Sequence, residues 1–256
     1  MFEILVFIVG LFIGSFLGVV IDRTYRKETT IKGRSYCDKC KKELAWYDLI
    51  PVLSFVFLKG RCRYCKTKLS LFYPITEIST GILFALVFYF FKTENPINIA
   101  YYLIILSSFI VIFFQDIKYG IIPDKIIFPA MIISIFYLFI NNPSSLILHL
   151  ASGIGAFFFF LIISYAFFAL TKKQGMGGGD IKLAALLGIF LGFPKILICL
   201  YLAFLTGAIV AIILILWRKK FLKDSLPFGP FLIFGTFISL FLGDLIYPNV
   251  LKLLGI

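Results

Sequence analysis

The chain has 256 residues, of which 61% are hydrophobic and 15% charged, with 32 phenylalanines and a mean hydropathy of +1.02. Soluble domains run at about 45–50% apolar and about 25% charged, so the composition excludes a soluble globular enzyme and points to a polytopic membrane protein. A net charge of +12 would suit a nucleic-acid binder, but the charge follows the apolar segments, which excludes that class.

The first apolar run, residues 2–21, is about as long as a bilayer-crossing helix. No basic stretch precedes it, no small-residue cleavage site ends it, and Arg23, Arg26 and Lys27 follow directly, so a retained membrane helix is expected. Residues 22–73 are the one soluble-looking stretch. They carry Cys37-Asp38-Lys39-Cys40 and Cys62-Arg63-Tyr64-Cys65, separated by 21 residues, one more than the usual spacing of about 15–20 for paired zinc knuckles. Each knuckle continues as C-x-x-C-K-x-x-L, to Leu44 and to Leu69, a small internal repeat that fits two similar turns clasping one ion. Four thiolates from two such turns complete a tetrahedron and leave no position open for catalysis. Cys37, Cys40, Cys62 and Cys65 are therefore expected to hold a structural Zn²⁺ that folds a loop too small to build its own core.

The second run, 74–91, opens with Glu77, a carboxylate favoured at a helix N-terminus, with substrate contact as a lesser reading. The third, 97–115, is closed by Asp116. Gly120 and Pro123 then break the chain, and Asp124 starts the fourth, 121–140, where a carboxylate caps the helix dipole. Asp116 has no such explanation, because a charge at a helix C-terminus is unfavourable. The fifth run, 146–170, carries His149, the only histidine, near its start. A packing or interfacial role is expected of it, and a single histidine argues against a Ser/His/Asp triad or a His-ligated catalytic metal. Before the sixth run, 181–194, the chain reads Gln174-Gly-Met-Gly-Gly-Gly-Asp180-Ile-Lys182. Each glycine costs about 1 kcal/mol in a helix, so Gly177, Gly178 and Gly179 are expected to serve backbone freedom or close approach: in an intramembrane peptidase an extended substrate strand would lie against them, and helix packing is the other reading. At about 1.5 Å per residue those 14 residues cover only about 21 Å of a hydrocarbon core of roughly 30 Å, so this helix is either tilted and extended or only partly inserted. The seventh run, 196–217, holds Cys199 as a packing residue, and the eighth spans 228–247.

The expected fold is all-α and polytopic, with about eight transmembrane helices: helix 1 over 1–21, a cysteine module over 22–73 and a seven-helix core over 74–256. Twenty-two of the 25 Lys and Arg fall in 22–73, 116–125, 171–182 (Lys172, Lys173, Lys182) and 218–223 (Arg218, Lys219, Lys220, Lys223); Lys92, Lys195 and Lys252 mark the other side. By the positive-inside rule the basic loops are cytoplasmic, both termini lie outside, and Asp116 and Asp180 sit at cytoplasmic ends of their helices. The cytoplasm also keeps the knuckle thiols reduced.

An ionisable residue at membrane depth is by default a functional hypothesis. Two carboxyls sharing one site cannot both ionise cheaply, so the pair holds one proton between its members and is suited to activating water and polarising a peptide carbonyl. Asp116 with Asp180 is the favoured pair, and Asp124 with Asp180 the alternative.

Gly14-Ser-Phe-Leu-Gly-Val-Val20, the two knuckles, Trp46-Tyr-Asp-Leu-Ile-Pro-Val-Leu-Ser54, Gly60-Arg61, Tyr73-Pro-Ile-Thr-Glu77, Asp116 to Asp124, Gly175 to Ala184 and Pro227-Phe-Gly-Pro-Phe231 follow in order along almost the whole chain. Together they resemble the type 4 prepilin peptidases, bifunctional leader peptidases and N-methyltransferases of the G-x-G-D intramembrane aspartyl protease kind. The resemblance implies Asp116 and Asp180 at the catalytic positions. It implies prepilin or pilin-like substrates cleaved after a short basic leader at the inner-membrane face, and S-adenosylmethionine as methyl donor to the new N-terminus. Where the family often has Asn this chain has Gly18, and where the family has Leu-Pro it has Thr24-Tyr25. From other classes, a proton- or cation-coupled transporter would also use paired membrane carboxylates, and a zinc-ribbon adaptor on a membrane anchor would use only the cysteines.

Overall fold

The computed structural model describes residues 2–29, 33–172, 175–217 and 227–253, with side chains of the last stretch to 248. Lys173 and the basic run Arg218, Lys219, Lys220 and Lys223, on which part of the orientation rests, lie outside the described residues. Among the described residues there are nine α-helices and no strand beyond two isolated bridges. They are α1 (Phe2–Arg26), α2 (Leu53–Phe57), α3 (Phe72–Phe91), α4 (Pro96–Tyr119), α5 (Asp124–Asn141), α6 (Pro143–Thr171), α7 (Gly178–Leu191), α8 (Lys195–Leu216) and α9 (Gly229–Leu253). All but the short α2 and α7 are long and apolar enough to cross a membrane, seven in all. The protein is a multi-pass membrane protein.

The chain divides into two compact units, Met1–Gln115 and Asp116–Ile256, the boundary falling inside α4. In the first, α1 lies along α3 at very short range. A side-chain carbon at Gly10 or Gly14 would come within 2.8 Å of Gly81 Cα or 2.7 Å of Glu77 Cα, so only glycine permits this approach. Helix α1 outruns its apolar segment by a turn because the charged residues there are satisfied: buried Asp22 accepts from the Tyr73 hydroxyl at 2.7 Å, and Arg23 donates to the carbonyls of Thr29, Gly33 and Arg34. Phe91 stacks on Tyr102 and Phe72 meets Phe114 edge-on, joining α3 to α4.

In the second unit α7 is the buried centre. Nearly every residue from Ile181 to Leu191 is covered, chiefly by α6, with α5 and α9 also in contact, as expected of a helix apolar on all sides. A carbon added at Gly188 would stand 2.6 Å from Gly153 Cα, so α6 and α7 touch backbone to backbone. His149 donates from Nδ1 to the Ile189 carbonyl at 2.8 Å, supplying a partner to one of the free carbonyls at the α7 C-terminus. It lies nine residues, about 13 Å, along α7 from Asp180, in the structural role expected of it. Cys199 packs between α8 and α9 against the Leu232 carbonyl and Thr236, as expected.

Beside the two aspartates, two helix boundaries differ from the sequence reading. Asp116 does not close its helix, since α4 runs on to Tyr119 and Gly120, at φ +65°, ends it by returning its N–H to the Asp116 carbonyl at 2.8 Å. Gly178 and Gly179 are helical and place Asp180 in the first turn of α7, where the dipole favours a carboxylate. The helix-breaking cost of glycine is offset there by contact, because Gly179 is pressed against Ile122.

Candidate active site and metal centre

The knuckles repeat bond for bond. Lys41 N–H donates to the Cys37 carbonyl and Cys37 N–H to Lys42; Lys66 N–H donates to Cys62 and Cys62 N–H to Thr67. The leucines close both turns, Leu44 N–H on Ser35 and Leu69 N–H on Gly60, and a single bridge flanks each, Tyr36 with Glu43 and Arg61 with Lys68. Lys41 and Lys66 occupy the same left-handed position, φ +57° and +56°. The four sulfurs all lie within 4.8 Å of one another, with Cys37 and Cys65 at 3.8 Å. Thiolates about 2.3 Å from a tetrahedral zinc stand about 3.8 Å apart, so the donor set fits the ion.

One ion pair ties the module to the end of α1 and another braces it internally. Arg26 at the end of α1 meets Asp38 at 2.6 Å, and Arg63 meets Asp48 of the turn Trp46–Leu49 at 2.7 Å. The hydrogen bond to Asp48 pushes the Arg63 guanidinium further above its usual pKa. At Val52 the backbone takes φ +59° and ψ −50°, a rare γ-turn for a β-branched residue. Buried Glu77 holds it, accepting the Val52 N–H at 2.7 Å. One partner of this acid is thus a strained turn of the cysteine module, a relation the sequence does not signal.

In the second unit three chain segments converge on Ile122: the link from α4 to α5, the start of α7 and the start of α9. A first carbon added at Gly179 would lie 2.9 Å from Ile122 Cβ, and at Gly229 3.2 Å from Ile122 Cδ1. Asp116 arrives on the last turn of α4 and Asp180 on the first turn of α7, close enough to interact electrostatically, and the Gly229 backbone N–H faces both carboxyls. Asp116 is only 5% exposed, and its Oδ2 and the Asp180 Oδ1 are buried without a hydrogen-bond partner. Asp124 is engaged elsewhere: it starts α5, and both its oxygens accept from the Lys182 ammonium at 2.8 and 2.9 Å. Gly177 stands before α7 with a carbon's ordinary distance to Asp180 Oδ2, 3.4 Å, while Gly178 opens on free space.

Gly229 is the site residue the sequence reading did not single out. Its carbon-free α position lies where any side chain would enter the carboxyl group, 2.7 Å from Asp116 Oδ2. The signal was the stretch Pro227-Phe-Gly-Pro-Phe231, whose prolines fix a chain break at the head of α9.

Residues 8–91, with all four knuckle cysteines, match the bacterial peptidase A24 N-terminal domain, and residues 103–212, with Asp116 and Asp180, match the type IV leader peptidase family. A protein of Bacillus subtilis (strain 168) named prepilin leader peptidase/N-methyltransferase is 31% identical over 255 residues, covering 97% of this chain and 98% of that one. The chain belongs to the type IV leader peptidase family. A leader peptidase/N-methyltransferase of Aeromonas salmonicida is 32% identical over 265 residues, covering 94% of this chain and 90% of its own length. One of Myxococcus xanthus (strain DK1622) is 32% identical over 216 residues, covering 84% of this chain and 64% of its own. No solved structure matches. As a member of the leader peptidase family the protein is an enzyme, and the transporter and adaptor readings lose their support.

Proposed function

We propose that Asp116 and Asp180 are the catalytic pair of an intramembrane aspartyl endopeptidase that removes the short basic leader of type 4 prepilins or pilin-like proteins. The observation that carries this reading is the meeting of two carboxyls, each with a buried oxygen lacking a partner, at one backbone N–H. Such a pair holds one proton jointly. The ionised member takes a proton from water as the water attacks, the protonated member hydrogen-bonds the peptide carbonyl, and a tetrahedral diol forms with no covalent acyl enzyme. Gly229 N–H steadies the carboxylate charge, as a helix N-terminus does. The open side of Gly178 gives an extended substrate strand room to lie beside Asp180.

The proposed organisation is helix 1 over 1–21, a zinc module over 22–73 and a seven-helix protease core over 74–256. Cys37, Cys40, Cys62 and Cys65 hold Zn²⁺, which supplies folding energy and no chemistry. The basic loops face the cytoplasm, placing both aspartates on the side of the inner membrane where a basic leader is retained. The names of the relatives support a second activity, methylation of the newly exposed N-terminus with S-adenosylmethionine as the methyl-donating substrate.

The test is cleavage of a prepilin-like substrate by purified wild type, Asp116→Asn and Asp180→Asn, with S-adenosylmethionine present and mass spectrometry of the product N-terminus. Loss of cleavage in both variants, with a methyl group on the wild-type product, is expected. Normal cleavage by Asp180→Asn would sink the assignment.

A further inference from the structure

We propose that the chain between the two knuckles is seated in the membrane surface, with α2 in the headgroup boundary and a basic cavity beside it binding the phosphate of an anionic lipid. Three observations from the first unit carry this, and none depends on the aspartate assignment.

The first is the face that α2 presents. Leu53, Val56 and Phe57 form an i, i+3, i+4 stripe that is 55%, 64% and 80% exposed, while Phe55 turns inward over Gly60. Trp46, just upstream, is 75% exposed. A module bathed in water does not gain from presenting its apolar residues outward, and such a patch marks a binding or membrane surface. Aromatic and aliphatic side chains flanked by cations are the composition of segments lying in the bilayer interface.

The second is depth. Val52, the residue before α2, donates its N–H to Glu77 at 2.7 Å. Glu77 lies five residues inside α3, about 7.5 Å along its axis, and α3 is one of the membrane-crossing helices. The start of α2 is therefore level with the second turn of a membrane helix. The γ-turn at Val52 gives this tether its reach, and strained backbone of this kind persists only where its surroundings hold it.

The third is charge. Lys59, Arg61 and Lys66 line an open cavity of about 470 Å³ whose remaining wall is Phe57, Leu58 and Cys62. Cations above an apolar wall that runs into the exposed Phe57 suit a phosphate whose acyl chains continue into the bilayer. A water-soluble anion accounts for the cations but not for the stripe. A protein partner accounts for the stripe but not for the depth.

The experiment uses the full-length, zinc-loaded protein in liposomes. Its two tryptophans, Trp46 and Trp217, make site-specific reporting simple: Phe57→Trp in a Trp46→Phe/Trp217→Phe background reports on α2, and Trp217→Phe alone reports on Trp46. Both are expected to be quenched by lipids brominated near the headgroup end of the acyl chain and to resist aqueous acrylamide. Quenching by acrylamide and not by bromolipid overturns the proposal. So does protection that appears only with a prepilin-like peptide, which assigns the patch to substrate, or only at high protein-to-lipid ratio, which assigns it to a second copy. Zinc content checks that each variant has folded. Native mass spectrometry reads the lipid: Lys59→Gln and Lys66→Gln should each lower the preference for phosphatidylglycerol over phosphatidylcholine about fivefold. Unchanged preference, or loss of bound lipid to millimolar inorganic phosphate, overturns the headgroup assignment.

Discussion

Gly229→Ala is the most searching perturbation of the candidate site, because it adds one carbon and removes no functional group. That carbon would stand 2.7 Å from Asp116 Oδ2 and 3.2 Å from Ile122 Cδ1. The first separation is shorter than real side-chain carbons tolerate, and Ile122 is itself pressed against Gly179, so the carboxyl must move by several tenths of an ångström to about 1 Å. Displacements of that size at a reacting group cost about 100-fold in rate, equivalent to about 2.7 kcal/mol of barrier. The overpacking itself costs about 1–3 kcal/mol of stability. Single-turnover cleavage of a prepilin-like substrate should therefore fall about 100-fold, with zinc content and membrane insertion as in wild type. Gly155→Ala on α6, where an added carbon meets nothing within 4 Å, serves as the control and should cleave normally. Cleavage by Gly229→Ala within a few-fold of wild type would refute the placement of the α9 start at the carboxyl pair.

Asp124→Asn should keep cleaving, in contrast to Asp116→Asn and Asp180→Asn, because its half-exposed pair with Lys182 contributes no more than about 1 kcal/mol; a dead Asp124→Asn enzyme would restore the alternative pairing. Cys62→Ser should lower bound zinc, read by atomic absorption, and open residues 33–70 to protease, since three thiolates no longer close the tetrahedron. Glu77→Ala leaves the Val52 N–H without its partner and should destabilise the first unit by about 1–3 kcal/mol in thermal unfolding, and an unchanged transition would show that the turn is held by other contacts.

Most of the fold was legible because lipid requires long apolar runs, and eight such runs became seven crossing helices and α7. The knuckle repeat was legible because a tetrahedral ion imposes the same short turn twice. The start of α7 was misread through glycine propensity, a measure for exposed helix interiors that does not count the contact of Gly179 with Ile122. The ion pair that engages Asp124 was not legible, because Lys182, two residues after Asp180, reaches across to α5. Gly229 was harder to read: the stretch Pro227-Phe-Gly-Pro-Phe231 marks a chain break, but not that the Asp116 carboxyl fills the space a side chain at Gly229 would need. The tie from Glu77 to Val52 crosses 25 positions and meets a conformation that no propensity assigns to valine.

The apolar chain between the knuckles is fixed at three points: by the metal-binding turn at either end and by Glu77 near its middle. Three points define the position of a body, and two leave only rotation about the line joining them. Breaking the Glu77 tie alone should therefore loosen α2 as a flap hinged on the clasp, and removing zinc alone should leave it swinging from Val52. Losing both sets it adrift. The two lesions are thus expected to be more damaging together than the sum of each alone, a non-additivity that a double-mutant cycle reads directly. It would show whether the module and the membrane helix act as one mechanical piece.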